Sequence, residues 1–187
     1  MNRLTQLPEE IGQLVKLETL VICGNLLNAL PKSLSKLKNL REFDASRNQI
    51  STFPVALSSL NNLDSVDLSS NKIKSIPDGV EELQLTILSL NQVRLRIKQV
   101  TFHNSQFKFQ NQISAISTAL SKCPRLKTLK LEENCLSLDA IPKDLLEHSS
   151  VSTINLNGNL FSEKQFADCE GYDKYLERYT AVRRKMD

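Results

Sequence analysis

One pattern repeats along this chain and leaves few folds open to it. Leu17, Leu40 and Leu63 follow one another at a spacing of 23, and each opens the same run: LxxLxLxxN, then xLxxLPxxLxxL. The first copy reads Leu17, Leu20, Ile22, Asn25, Leu27, Leu30, Pro31, Leu34, Leu37. The second reads Leu40, Phe43, Ala45, Asn48, Ile50, Phe53, Pro54, Leu57, Leu60, and the third Leu63, Val66, Leu68, Asn71, Ile73, Ile76, Pro77, Val80, Leu83. Later copies keep the frame at Leu126, Leu129, Leu131, Asn134, Leu136, Ile141, Pro142 and at Val151, Ile154, Leu156, Asn159. Self-similarity at a fixed period is the signature of stacked repeats, each burying its apolar face only against its neighbours.

The spacing follows from the chemistry. Alternation by two within LxL makes a short strand with one face inward, and such strands stack in parallel. The Asn turns the chain inward, and its amide both donates to and accepts from the backbone of adjacent turns. Asn25, Asn48, Asn71, Asn111, Asn134 and Asn159 are therefore expected to form a ladder that satisfies buried backbone groups. The Leu-Pro that follows fixes φ and bars a regular helix at the bend, leaving a turn or two on the convex side. Each inward apolar side chain contributes about 1.5–3 kcal/mol on full burial. Pro31, Pro54, Pro77 and Pro142 at one repeat position exclude a set of unrelated amphipathic helices. The fold class is α/β: a horseshoe solenoid with short parallel strands on its concave face.

The pattern breaks twice. Residues 2–16, with Leu4, Leu7, Pro8, Ile11 and Leu14, form the second half of a repeat whose strand is missing. That predicts an apolar patch at this end and an N-terminally shortened form of a longer protein. The fourth repeat begins Leu85, Leu88, Leu90, Asn91, Gln92 and resumes at Asn111-Gln112-Ile113; removing residues 93–110 restores the period. This insert carries Arg94, Arg96, Lys98 and Lys108 and no acid, so it holds the basic excess of a chain whose formal charge is +3. It reads either as a basic loop offering Phe102, Phe107 and Phe109 to a partner, or as a retained intron translated in frame. Val93-Arg94 and Phe109-Gln110 are codable as splice donor and acceptor, and the intron reading is favoured.

Several functions find no footing. No apolar run is long enough to span a bilayer, and no export signal opens the chain, so a cytoplasmic location is expected. Cys23, Cys123, Cys135 and Cys169 form no CxxC pair and read as free thiols of a reducing compartment. His103 and His148 lack a nucleophile at a recognisable motif, and no phosphate loop, dinucleotide fingerprint or HExxH occurs. No catalysis, metal or cofactor is expected, and the near-neutral array argues against nucleic acid.

Some segments are more specific than the repeat. They are Cys123-Pro124-Arg125-Leu126-Lys127, Leu131-Glu132-Glu133-Asn134-Cys135-Leu136, Gly158-Asn159-Leu160-Phe161 and the ending Glu170-Gly171-Tyr172-Asp173-Lys174-Tyr175-Leu176-Glu177-Arg178-Tyr179-Thr180-Ala181. With them the chain, from Leu17 onward and apart from residues 93–110, resembles the leucine-rich repeat-containing protein 57 family of the leucine-rich-repeat superfamily. The resemblance implies a leucine-rich-repeat solenoid without enzymatic activity, acting as a cytosolic or membrane-peripheral interaction module. Similar family members can begin Met-Gly, a myristoylation-like start; here residue 2 is Asn.

Two regions follow: an array over residues 1–162 and a capping helix over 163–187. Phe166, Cys169, Tyr172, Tyr175, Leu176, Tyr179, Val182 and Met186 recur at helical steps, predicting one helix over about 163–186 that covers Ile154 and Leu156. An aromatic docking stripe is the alternative. The concave face offers Glu42, Asp44, Arg47, Asp67, Ser89, Lys130, Glu132 and Asn155 as partner-binding residues. The expected function is non-enzymatic protein–protein interaction there, by a monomeric scaffold of the kind used in signalling. The alternative is peripheral membrane recruitment, as a regulatory subunit whose lipid-anchoring N-terminus is missing from this form.

Overall fold

The computed structural model describes residues 2–92 and 111–185. Residues 93–110, with Arg94, Arg96, Lys98, Phe102, His103, Phe107, Lys108 and Phe109, lie outside the described residues, as does Met186.

Eight short strands form: β1 (Thr19–Val21), β2 (Glu42–Asp44), β3 (Ser65–Asp67), β4 (Ser75–Ile76), β5 (Ile87–Ser89), β6 (Ala115–Ile116), β7 (Thr128–Lys130) and β8 (Thr153–Asn155). Six make one parallel sheet in the order β1-β2-β3-β5-β7-β8. Its register aligns Leu20, Phe43, Val66, Leu88, Leu129 and Ile154 as one inward row. Phe43, Val66, Leu88 and Leu129 are no more than 2% exposed. All the buried apolar residues form one cluster running the length of the array. β4 and β6 pair separately, just beyond the Asn bend; their two-residue length leaves no alternation to read, and the pattern did not predict them.

The convex side is made of single turns. 3₁₀ helices at Glu9–Gln13, Lys32–Lys36 and Val55–Ser59 each follow a proline, Pro8, Pro31 and Pro54, whose carbonyl accepts the N–H three residues on. Proline suits this place because its missing N–H would be unpaired there anyway. Where the fourth repeat has Ser117 instead, its hydroxyl accepts the N–H of Ala119 and caps the 3₁₀ helix Thr118–Lys122. In the next repeat the 3₁₀ helix Leu138–Ala140 precedes Pro142 and α1 (Lys143–Glu147) follows it.

The asparagines bind the turns together. Asn48 accepts the N–H of Leu27 and donates to the carbonyls of Ile22 and Ala45. Asn71 does the same with Ile50, Ala45 and Leu68. Asn134 accepts from Ile113, and Asn159 from Leu136. At the open end Asn25 takes the N–H of Leu4. Asn111 accepts from Ile73 and donates to Leu68 and Leu90 at 3.0 and 3.2 Å. Elsewhere the ladder Asn reaches back three residues, as Asn71 does to Leu68; Asn111 makes the same contact to Leu90 across eighteen further residues. Gln92 and Asn111 thus hold consecutive places in one repeat.

The C-terminal segment differs from the single helix expected. α2 (Glu163–Ala167) and α3 (Tyr172–Arg183) are separate. Ser162 starts α2 with a reciprocal capping box to Gln165. The break falls at Gly171, whose φ of +86° lies in the left-handed region where glycine is free of the usual strain. A Cβ there would stand 2.5 Å from Glu147 Cγ, so the bend also needs the missing side chain. The turn lets α3 fold back against α1 and the last strand. Tyr175 is 5% exposed, and its hydroxyl accepts the N–H of Ile154 at 3.1 Å. Arg178 donates from Nε to the carbonyl of Val151 and from Nη2 to that of Leu146. Phe161, Phe166, Tyr172, Tyr175 and Tyr179 pack ring against ring, Phe166 edge-on to Tyr172.

Candidate partner-binding face

The strand register places the outward side chains in rows. One row reads Thr19, Glu42, Ser65, Ile87, Thr128, Thr153, and the next Val21, Asp44, Asp67, Ser89, Lys130, Asn155. Alternation forces this, because the residues flanking each buried centre must point to the opposite side of the sheet. Asp44, Asp67, Ser89, Lys130 and Asn155 are therefore direct neighbours on successive strands. Glu42 stands in the parallel row, and Arg47 and Glu132 follow at the strand exits.

Their environments differ. Glu42 and Arg47 are exposed, while Asp44, Asp67, Lys130, Glu132 and Asn155 are half-buried. Ser89 departs from expectation: at 7% exposure it is a buried member of the row, a short side chain between Asp67 and Lys130. It offers a partner almost no surface. Asp44 and Asp67 each spend one carboxylate oxygen at home, accepting the N–H of Ser46 at 2.9 Å and of Ser69 at 2.8 Å. This local turn positions both carboxylates and leaves each with a second oxygen. Glu132 accepts the Asn91 amide at 2.7 Å while its N–H donates to the Asn91 side chain. The Asn91 amide thus holds its carboxylate. Sequence reasoning missed Asn91 as that partner, and Arg178 as a clamp on the last repeat; neither residue stands in a motif.

The rest of the described surface offers little chemistry. An open groove of about 380 Å³ between the 3₁₀ helix at Thr118–Lys122 and α1 is lined in part by Cys123, Asp144 and His148. Cys123 is no nucleophile: burial pushes its thiol up to about 12, and its S–H donates to the Val80 carbonyl. Among the described residues no group of His, Cys, Asp and Glu could hold a metal ion. No described helix is long and apolar enough to cross a membrane. All four cysteines are free thiols.

Known proteins share this architecture. A family model described as leucine-rich repeats, in two copies, matches residues 38–82. Human PRAME family member 1 is 38% identical over 61 residues, which make up 33% of this chain and 12% of that protein. Among solved structures, a leucine-rich-repeat protein of Leptospira interrogans superposes with a TM-score of 0.69 at 30% identity, over 84% of this chain and 36% of that one. The ectodomain of the Arabidopsis thaliana receptor kinase GASSHO1/SCHENGEN3, solved in complex with CASPARIAN STRIP INTEGRITY FACTOR 2, gives 0.63 at 27% identity, over 82% and 17%. The chain therefore spans only a fraction of the length of each of these relatives. On the pattern of its repeats and the path of its backbone alike, the chain is a leucine-rich-repeat solenoid.

Proposed function

We propose that this chain is a non-enzymatic interaction module of the cytoplasm that binds a protein partner on its concave face, through Glu42, Asp44, Arg47, Asp67, Lys130, Glu132 and Asn155. Leucine-rich-repeat domains generally mediate protein–protein interaction, and the resemblance of the chain's ending to the leucine-rich repeat-containing protein 57 family supports the same reading. The observation that carries the reading is the register: six strands bring charged and hydrogen-bonding side chains into two continuous rows on a rigid sheet. A partner meeting such rows gains several contacts without ordering the surface first, which lowers the entropic cost of binding. The Arabidopsis ectodomain, solved with its own protein factor, supports the use of such an array for recognition. The four free thiols fit a reducing compartment.

The test is affinity capture from cell lysate with quantitative mass spectrometry. Three baits are compared: the wild-type chain, an Asp44→Lys/Asp67→Lys variant, and a convex control, Lys32→Glu. The proposal expects specific partners to be lost from the concave variant and retained by the control. Retention of the same partners by the concave variant, with its fold intact by circular dichroism, would overturn it.

A further inference from the structure

Arg47 stands at a bend where the backbone of the repeat turns left-handed. It immediately precedes the ladder residue Asn48 and takes a φ of +54°, in the left-handed region that L side chains disfavour. The same place is held by glycine in the repeats at the two ends, Gly24 at +67° and Gly158 at +80°, and by Ser70 at +55° and Glu133 at +57° in between. The ladder needs only the backbone here: the N–H of Arg47 donates to Ser69 at 2.9 Å, as that of Gly24 donates to Ser46. The side chain is exposed, and its guanidinium makes no ion pair with any described residue. On the same face the strand register aligns the carboxylates of Asp44 and Asp67, each of which holds a local turn N–H through one oxygen.

We propose that this half of the concave face holds a protein segment of mixed charge, one that sets a carboxylate against Arg47 and a lysine or arginine against Asp44 and Asp67. The inference rests on the concave-face reading and sharpens it to a partner chemistry. A purely basic segment would meet repulsion at Arg47, and a purely acidic one would meet it at the two aspartates. Like-charge contacts of this kind reject wrong partners more strongly than matched ones reward right ones.

The experiment titrates the full ¹⁵N-labelled chain at low ionic strength with three ten-residue Ser/Thr peptides. They carry two lysines, two glutamates, or two of each. The mixed peptide is expected to shift the amide resonances around residues 44–48 and 67–70 and to bind at least tenfold more tightly than either other peptide. Arg47→Gly should reduce the mixed peptide to the affinity of the lysine peptide, with a Tm equal to or above wild type because glycine relieves the left-handed backbone. Arg47→Gln, which keeps a side chain, should lose the same affinity, and Arg47→Lys should retain most of it. Unchanged affinity in Arg47→Gly and Arg47→Gln overturns the inference, as does the absence of any preference for the mixed peptide. Unchanged affinity in the Asp44→Lys/Asp67→Lys variant would instead remove the peptide from this face and overturn the concave-face reading with it.

Discussion

The two ends of the solenoid solve the same problem in opposite ways. A stacked repeat leaves an uncovered strand edge and an uncovered apolar layer at each extremity. At the C-terminal end α3 closes both: Tyr175 and Arg178 take up the N–H of Ile154 and the carbonyls of Val151 and Leu146, and a cluster of aromatic rings covers the layer. At the N-terminal end β1 has a strand on one side only. There Leu4, Leu14 and Val15 are 48%, 51% and 50% exposed. A solenoid is thus not uniformly stable along its axis. Its middle turns are covered on both sides, its last turn by a dedicated helix, and its first strand by nothing among the described residues.

The asparagine ladder gives the sharpest test of that gradient. Asn71 is fully buried, and its side chain links the second and third turns. Asn71→Ala leaves the Ile50 N–H without a partner in the core, at about 1–3 kcal/mol for an unsatisfied buried group, and takes one of two amide donors from the carbonyls of Ala45 and Leu68, which Asn48 and Asn111 still serve. A total loss of about 2–4 kcal/mol is expected by urea unfolding. Asn25→Ala removes one bond to Leu4 and two local ones at a looser place, and should cost about 1–2 kcal/mol. Equal losses at the two positions would mean that the array unfolds as one unit and that the open end is not weaker.

Most of this fold could be read from residues alone, because the repeat states each rule several times. Leu, Asn and Pro recur in frame, so strand, bend and convex turn each have three or more witnesses. The features that escaped have a single witness or none. β4 and β6 are too short for a period, and the break before α3 turns on Gly171, one residue in an otherwise helical spacing. Arg178 works through two backbone carbonyls, which no side-chain pattern announces. The concave rows were legible as alternation, but the burial of Ser89 was not. Whether an outward side chain reaches solvent depends on the length of its neighbours across strands, and sequence order says nothing of that.

At the closed end, Tyr175→Phe keeps the ring packing but leaves the N–H of Ile154 without its acceptor. The loss should be about 1–2 kcal/mol by thermal or urea unfolding. A pH signature separates this residue from a generic core defect. Burial holds the Tyr175 hydroxyl protonated above its ordinary range. Because the folded value lies above the unfolded one, its contribution is complete below about pH 10 and is lost as pH rises beyond it. The Phe variant should therefore lose stability less steeply than wild type above that pH. The remaining alkaline slope belongs in part to Cys123, which is pushed up to about 12. Parallel curves for wild type and variant would detach the hydroxyl from the cap.

At the open end the contact most sensitive to added volume is glycine on serine. A Cβ on Gly12 would lie 2.6 Å from the Ser33 Cβ and 2.7 Å from the Ser33 carbonyl oxygen, the latter being backbone that cannot swing aside. Gly12→Ala must push the first convex turn away from the second, at about 1–2 kcal/mol. The gradient predicts that this cost is felt locally. Amide exchange should accelerate in residues 2–25 while the amides of β3, β5 and β7 keep their protection. Uniform acceleration across the chain would join the first turn to the global unfolding unit and erase the contrast between the ends.

The smallest effect is expected from the largest change. Deleting residues 93–110 joins Gln92 to Asn111, which already hold consecutive places: the N–H of Gln92 donates to Glu132, and Asn111 reaches Leu90 as every other ladder Asn reaches the residue three before it. The deletion restores a 23-residue repeat. Stability should change by no more than about 1 kcal/mol, in the stabilising direction, since a shorter connection has less closure entropy to lose. The concave variants should then behave in the shortened chain as they do in the full one. If the shortened chain instead unfolds at markedly lower temperature, the middle of the array depends on the insert, and the uneven stability described for the two ends would extend to a third point along the axis.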